Sequence, residues 1–554
     1  MVTESSFSLR LNKITSAIIL LLIWPGSLLS GQEGTYNYYY RVYFKDKGEN
    51  RINDFSLSEL FSAKASERRQ KSGLTAPDFR DIPVYSGYVE QVSSFGFKLH
   101  CKSRWMNTAL FKTQSVADIN DLLNLPFVSD VKLVKEPSGK SDNADKLSFA
   151  TWQSELPLYT RPLLMLNGLS VHNSGFDGKG ILIAVLDGGF TNADHILSLN
   201  ALRNRHGIAG TFDFVKNGDF VYDYHNHGTA VLSVLAGTIP GSIEGIAPGA
   251  EFWLLRTEDT ESEFPVEEDF WVAGAEFADS LGADIISSSL GYFVFDDPSM
   301  NYKYSDMDGN TAFITRAADI AASRGILPVN SAGNERDNAW IHIIAPSDGD
   351  SVLAAGAVDG NNFISIFSSA GPSYDRRIKP DVVAQGVSVP VQVNTSVVER
   401  ASGTSFSCPV ISGMCACIMQ AVPEATNSDI IAALHSSSDR FLTPDSLYGY
   451  GIPDIAKAIK LLQERFVMKP DDESVVYPNP FTDRLEITFR ETPSQLTVEI
   501  FNGSGKLISI TNYQEYVSRS VALESIRNYP AGIYFIRLTT PGNIKTHKVI
   551  KIRR

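Results

Sequence analysis

Hydrophobic and polar positions change rhythm three times along this chain. In the first stretch Tyr38, Tyr40, Val42 and Phe44 alternate with polar residues, the period of a half-buried strand. Ser56-Leu57-Ser58-Glu59 has the form of a capping box and predicts a helix running toward Arg69. A helical stretch near Tyr88–Val92 follows, then strands at Phe97–Cys101 and Met106–Phe111, a helix at Val116–Leu123 and a strand at Val128–Val134. Leaving aside the extra helix, the order is βαββαβ, the ferredoxin-like split unit. It lies within residues 31–145, which we take as one α+β domain.

From residue 155 to 465 strands and helices alternate. An apolar strand at Ile181–Leu186 runs into Asp187, and Gly228–Gly237 begins a helix. Phe252–Leu255 is a strand, and Pro265, Glu267 and Glu268 open a helix that passes Trp271 and Ala275 and ends near Gly282. Ile285–Leu290, Ile326–Val329 and Val352–Val358 are further strands. This alternation predicts an α/β fold, a parallel sheet with helices on both faces and functional groups at the carboxyl ends of the strands. After Met468 the period becomes two again: Leu485, Ile487 and Phe489, then Leu496, Val498 and Ile500, a turn at Asn502-Gly503-Ser504-Gly505, and strands at Ile533–Leu538 and Val549–Ile552. Residues 472–554 therefore read as a small antiparallel β-sandwich. Pro137–Asp145, with Ser138, Gly139, Ser141 and Asn143, is a polar linker suited to processing.

A chain of 554 residues is too long for one core. With 43% hydrophobic and 20% charged residues it is ordinary globular protein, and a net charge of −14 argues against nucleic acid as a partner. Residues 1–30 have the form of a signal peptide: Arg10 and Lys13, an apolar run from Ile14 to Ile23, then Gly26, Ser27 and Ser30. A membrane anchor is the weaker reading, because the run stops at Pro25, short of the ~20 residues needed to span. No later segment reads as a membrane span. Cys408, Cys415 and Cys417 fall on one expected helix, too far apart or facing different sides for a bridge, and Cys101 is distant; all four read as unpaired.

Four separated segments carry candidate chemistry: Ile183-Ala184-Val185-Leu186-Asp187-Gly188-Gly189, His227-Gly228-Thr229, Ser331-Ala332-Gly333-Asn334 and Gly403-Thr404-Ser405-Phe406-Ser407-Cys408-Pro409. A serine hydroxyl becomes a nucleophile only when an oriented base takes its proton, and the resulting oxyanion needs donors already aimed at it. An Asp, a His, a Ser and an Asn, each beside glycines or small residues, meet that requirement. Position 407 is Ser, so this is not the Gly-x-Ser-x-Gly elbow, and the order Asp…His…Ser further opposes an α/β-hydrolase esterase.

These motifs resemble those of the subtilase serine proteases across nearly all of residues 175–455, with Gly371-Pro372 and Lys379-Pro380-Asp381 as further landmarks. The resemblance implies that Asp187, His227 and Ser405 form the triad and that Asn334 supplies the oxyanion amide. It implies that Ser288-Ser289-Leu290-Gly291 pairs with extended substrate, and that Ser331-Ala332-Gly333 walls the pocket beside it. His225 competes locally with His227, but the following Gly-Thr favours 227. The sequence departs from the family at Asn226, at Ala230, where a second His is frequent, and at Gly188, where Thr or Ser is usual; Gly188 is expected to loosen the Asp187 carboxylate. No cofactor is required. Structural calcium is compatible with the family, but Asp306-Met307-Asp308-Gly309-Asn310 reads better as a polar turn capping a helix over Thr311–Ser323, and no metal residue is assigned.

In this setting residues 31–145 resemble a subtilase propeptide, which in that family aids folding and then inhibits; an unrelated accessory domain is the alternative. Val476-Tyr477-Pro478-Asn479-Pro480-Phe481, Pro530-Ala531-Gly532-Ile533-Tyr534 and Lys548-Val549-Ile550-Lys551 resemble C-terminal sorting domains of the Por (type IX) secretion system. A carbohydrate- or protein-binding module is the alternative there. The reading is a secreted or cell-surface serine endopeptidase with polypeptide substrates, its own propeptide and the outer-membrane secretion machinery as partners. A catalytically silent scaffold is the rival from another class.

Overall fold

The computed structural model describes residues 38–137, 147, 149, 151–152, 159–395, 397–467, 473–477, 479–481, 485–490, 492–513, 520–523 and 525–552. The signal segment and nearly all of the polar linker lie outside the described residues. The chain divides into two units, residues 1–456 and 457–554.

The first unit begins with an antiparallel sheet of β1 (Tyr38–Phe44), β2 (Lys98–Ser103), β3 (Thr108–Thr113) and β4 (Val128–Lys135), in the order β2-β3-β1-β4. One face packs Tyr40, Val42 and Phe44 against Val89, Val92 and Phe127. The helix expected from Ser56 to Arg69 is two pieces. Its capping box forms, with the Ser56 N–H donating to Glu59 at 2.8 Å, but the turn ends at Leu60. Ser62 then starts α1 (Ala63–Lys71) by accepting the Ala65 N–H, because Leu60 and Phe61 turn into the core between them. After α2 (Ser86–Ser93), the helix expected at Val116–Leu123 shrinks to Asn120–Leu123. Tyr40 Oη takes the Ala117 N–H and Asp118 takes the Asn120 N–H, so side chains replace the helical turn.

The larger sheet is wholly parallel: β6 (Leu182–Asp187), β7 (Ile208–Asp213), β8 (Glu251–Arg256), β9 (Ile285–Ser288), β10 (Leu327–Ser331), β11 (Leu353–Val358) and β12 (Val382–Gln385), ordered β12-β11-β10-β9-β6-β8-β7. Every residue of β6 is buried, as a strand covered on both faces requires. Helices α3 (His227–Ala236), α4 (Val266–Leu281), α5 (Phe313–Ser323) and α6 (Thr404–Ala421) cover it. Helices α3 and α6 pack on each other, and Phe270, Trp271, Ile314 and Ala317 of α4 and α5 meet the side of β6 that carries Ala184 and Leu186. Helix α6 corrects one expectation: its 18 residues reach a mean hydropathy of 1.2, enough for a membrane span by length and composition, yet 83% of them are buried as a core helix. Its three cysteines are free and buried, and burial raises the Cys408 thiol to about 11.

The N-terminal sheet turns its other face onto α4 through buried ion pairs. Arg41 Nε donates to both oxygens of Asp269, at 2.9 and 2.8 Å. Arg69 bridges Asp81 of its own domain, at 2.6 Å, and Asp279 of α4, at 3.0 Å, all fully buried; Arg68 joins Asp279 as well. In the opposite sense Arg324, just past α5, grips Asp78 at 2.6 Å. His100 of β2 is buried and donates through Nε2 to the Phe214 carbonyl at 2.9 Å. Burial pushes this imidazole down to about 4, and pushes the Glu268, Asp269 and Glu276 carboxyls up.

The second unit holds two antiparallel sheets, β15-β16-β19 and β18-β17-β20-β21, once β5 (Thr151–Trp152), β13 (Val389–Val391) and β14 (Glu399–Ala401) of the first unit are numbered. They comprise β15 (Ser474–Tyr477), β16 (Leu485–Phe489), β17 (Leu496–Asn502), β18 (Leu507–Tyr513), β19 (Ser520–Leu523), β20 (Gly532–Thr540) and β21 (Asn543–Lys551). Leu485, Ile487, Val498, Ile500, Ile536 and Leu538 fill the space between the sheets. Among the basic residues of the last strand, Lys551 is buried, its Nζ donating to the Ile526 and Arg527 carbonyls, and so is not part of an exposed basic edge.

Candidate active site

Asp187 ends β6, an interior strand, at the carboxyl edge where a parallel sheet presents groups to solvent or to ligands. Its Oδ1 accepts the Gly188 N–H at 2.8 Å and its carbonyl accepts the Thr257 N–H at 3.0 Å. Arg256, tied to Asp213 at 3.0 Å, donates to the Gly188 carbonyl at 3.0 Å and fixes the turn from below. The Gly188 N–H thus gives the carboxylate a main-chain donor at the position where the family usually has a hydroxyl.

His227 is the first residue of α3. Its Nδ1 lies 2.9 Å from both Asp187 oxygens, and the ring is 3% exposed. The adjacent glycine is what permits this approach: a Cβ on Gly228 would stand 2.5 Å from the Gly189 carbonyl oxygen and 2.9 Å from Asp187 Cβ. The competitor His225 is a positioning neighbour, its Nδ1 accepting the His227 N–H at 3.0 Å.

Ser405 is the second residue of α6. Pro409 has no N–H to return to the Ser405 carbonyl four residues earlier, and Ser289 Oγ donates to that carbonyl instead, at 2.9 Å. Asn334 is exposed, and its Oδ1 accepts both the N–H and the Oγ–H of Thr404, at 2.8 and 2.9 Å. The amide is thereby oriented, with Nδ2 as its remaining donor.

His227, Ser405, Asn334, Ser289, Leu290 and Gly291 line one cleft of about 970 Å³, together with Ser331 and Gly333. Ser288 and Ala332 do not line it. The Ser288 hydroxyl accepts from Trp271 Nε1 inside the core, and Ala332 is fully buried between Ala355 and Ile344. The sequence reading missed Thr404, which lay inside the quoted motif, and Leu147 and Phe149, which lay in no motif at all. Phe149 places its ring 5.6 Å from that of His227 and 5.2 Å from that of Phe406.

Asp308 accepts from the Asn310 and Thr311 N–H groups and from the Thr311 hydroxyl, so its carboxylate is used in the polar turn. Among the described residues, oxygens of Glu258, Glu263 and Glu267 lie within 4.8 Å of one another. Glu267 accepts the Asp259 and Phe264 N–H groups and Glu258 accepts the Tyr292 hydroxyl, so much of this donor set is already engaged.

Residues 178–451 match the subtilase family, residues 39–147 the peptidase S8 propeptide domain of Bacteroidota, and residues 475–552 the secretion system C-terminal sorting domain. Subtilisin E of Bacillus subtilis is 28% identical over 293 residues, covering 52% of this chain and 68% of its own. Subtilisin DY of Bacillus licheniformis is 28% identical over 302 residues, covering 54% of this chain and 97% of its own. With His, Ser and Asn lining one cleft and Asp buried behind the His, a propeptide domain ahead and a sorting domain behind, this chain carries a subtilase-family domain over residues 178–451, is a serine-type endopeptidase and is exported to the cell surface or beyond by the secretion system its tail addresses.

Proposed function

We propose that Asp187, His227 and Ser405 act as a triad that hydrolyses peptide bonds through an acyl-enzyme. Ser405 Oγ attacks the scissile carbonyl carbon while His227 Nε2 takes the hydroxyl proton, and Asp187 holds the Nδ1 tautomer and the imidazolium. The carbonyl electron pair moves onto oxygen, where Asn334 Nδ2 and the Ser405 N–H stabilise it. Collapse breaks the C–N bond as His227 gives its proton to the leaving amine. Water then attacks the ester by the same route, regenerating the Ser405 hydroxyl and releasing the acid. Every group in this sequence comes from the chain. The observation that carries the reading is the 2.9 Å approach of His227 Nδ1 to both Asp187 oxygens in a cleft shared with Ser405 and Asn334.

In this reading residues 1–30 direct export, residues 31–145 cap the enzyme, residues 155–465 carry catalysis and residues 472–554 carry sorting. Labelling with a fluorophosphonate probe tests the nucleophile. Matured enzyme takes the label and Ser405→Ala does not; equal labelling of the variant would sink the assignment.

A further inference from the structure

Three strand ends stand side by side at the carboxyl edge of the parallel sheet: Asp187 of β6, Arg256 of β8 and Asp213 of β7, paired in that order. Arg256 is buried, with its Nη1 donating to Asp213 and its Nε to the Gly188 carbonyl, both at 3.0 Å. Asp213 is itself fixed, because its other oxygen accepts the Val215 and Lys216 N–H groups. The face of the guanidinium is covered by Tyr224, whose ring centroid lies 3.7 Å from Cζ. Tyr224 stands three residues before His227 with φ +71°, a left-handed conformation that a bulky side chain enters only at a cost. It is 44% exposed, so burial alone does not hold it there. Such strain persists only where the surroundings fix it, and here the surroundings are a desolvated cation. Beyond Tyr224 the loop lies on the turn that follows Asp187. The Thr191 N–H donates to the His225 carbonyl at 3.0 Å, and the Gly228 N–H donates to the Gly189 carbonyl at 3.1 Å. One guanidinium thus holds the turn after Asp187 by its edge and the loop before His227 by its face.

We propose that Tyr224 is a positioning residue for the general base and acts through Arg256. Stacked on the guanidinium that grips the Gly188 carbonyl, it fixes the start of α3 against the Asp187 turn and keeps His227 Nδ1 in reach of both carboxylate oxygens. This rests on the triad reading above. A planar guanidinium over an aromatic face, shielded from water on its other side, is the setting in which cation–π attraction is largest. Without the ring the loop relaxes out of the left-handed region and carries the imidazole with it. A misplacement of about 1 Å costs on the order of a hundredfold in rate. Tyr224 does not line the cleft, so substrate binding is untouched and the loss falls on kcat.

The test compares Tyr224→Gly and Tyr224→Phe with wild type, each as full-length protein allowed to mature, on a quenched peptide taken from a casein site that wild type cuts. Glycine is at home at this φ, so if the backbone alone mattered Tyr224→Gly would match wild type. The stacking role predicts instead a fall in kcat of about 10- to 100-fold with KM within about twofold. Tyr224→Phe keeps the ring and restores kcat to within about threefold of wild type. A Tyr224→Gly enzyme with wild-type kcat, a loss that falls on KM, or a Tyr224→Phe enzyme as slow as Tyr224→Gly each overturns the proposal. Melting curves accompany the kinetics. A variant that does not mature unaided is cut in trans by tagged wild-type enzyme, which is then removed. A Tyr224→Gly protein that resists this, or that is unfolded at the assay temperature, assigns the ring to the fold alone and overturns the positioning role as well. Wild type that cuts no casein refutes the triad reading, whereas an active wild type matched by Tyr224→Gly refutes only the role of Tyr224.

Discussion

Ser289 and Ser405 are joined by a hydrogen bond that Pro409 makes necessary. The proline deprives the Ser405 carbonyl of its helical donor, and the Ser289 hydroxyl replaces it from the neighbouring strand end. Ser289→Ala should leave a buried carbonyl unpaired, at a cost of about 1–3 kcal/mol. The start of α6 carries the nucleophile, so the expected result is a lower melting temperature together with a fall in kcat at nearly constant KM. Ser289→Thr, which keeps the hydroxyl, should recover most of both. Scanning calorimetry alongside steady-state kinetics reads the two effects separately.

Asn334 should matter more than its exposure suggests. Asn334→Ala removes an oxyanion donor and should lower kcat by roughly 10²–10³-fold, the size known for the side-chain amide of subtilisin. Thr404→Val removes one of the two bonds that orient the amide and leaves the backbone one. Its loss of kcat should be smaller, with KM again little changed.

Maturation should be visible by mass. Leu147 and Phe149 line the cleft that holds Ser405, and Phe149 meets the His227 ring, so the precursor is expected to be cut between them, downstream of the polar linker whose composition suggested a processing site. Intact-mass spectrometry of wild type should give a fragment ending at residue 147 or 148. Ser405→Ala should stay full length, and a wild-type cut confined to residues 137–145 would refute this route.

Much of this site was legible before any coordinates, for a physical reason. Asp187, His227, Asn334 and Ser405 each need small neighbours so that four elements can converge, and such neighbours leave a local signature, as Gly228 does beside Asp187. Strand and helix positions followed from periodicity for the same reason, because burial on one or both faces repeats along the chain. Leu147 and Phe149 left no signature, since nothing local marks a segment whose partners lie far off in sequence. The helix at Val116–Leu123 failed where the Tyr40 hydroxyl, also remote in sequence, takes a helical N–H. The arginines that dock the N-terminal domain were silent too: Arg41 and Arg69 look like surface charges until Asp269 and Asp279 are brought to them.

Propeptide docking should depend on pH through His100. Its imidazole is held down to about 4 when docked, against an ordinary value of 6.5. Above about pH 6.5 the ring is neutral in both states and its packing is fully favourable. As pH falls toward 4 the undocked domain takes a proton that the docked one refuses, so inhibition weakens by roughly a hundredfold through this residue. The raised carboxyls Glu268, Asp269 and Glu276 act in the opposite sense, so the comparison is between variants. His100→Gln keeps a donor for Phe214 and should show the flatter inhibition-versus-pH curve between those limits; identical curves would refute the claim.

Removal of residues 472–554 takes away no cleft residue and should leave peptidase activity in lysates close to wild type. Export should fail, with the shortened protein retained in the periplasm. Fractionation settles it, and normal surface or medium levels would favour the binding-module alternative.

The Arg69 bridge between Asp81 and Asp279 is expected to separate cutting from release in time. A peptide bond at the cleft can be broken while this pair stays dry, and ions out of contact with water are little screened by salt. A severed domain would leave only as Arg41, Arg68 and Arg69 part together from the carboxylates of α4 before water reaches them, so its departure is expected to lag behind the cut. That interval would be a clock set by desolvated charge, running between the first cut and the first foreign substrate.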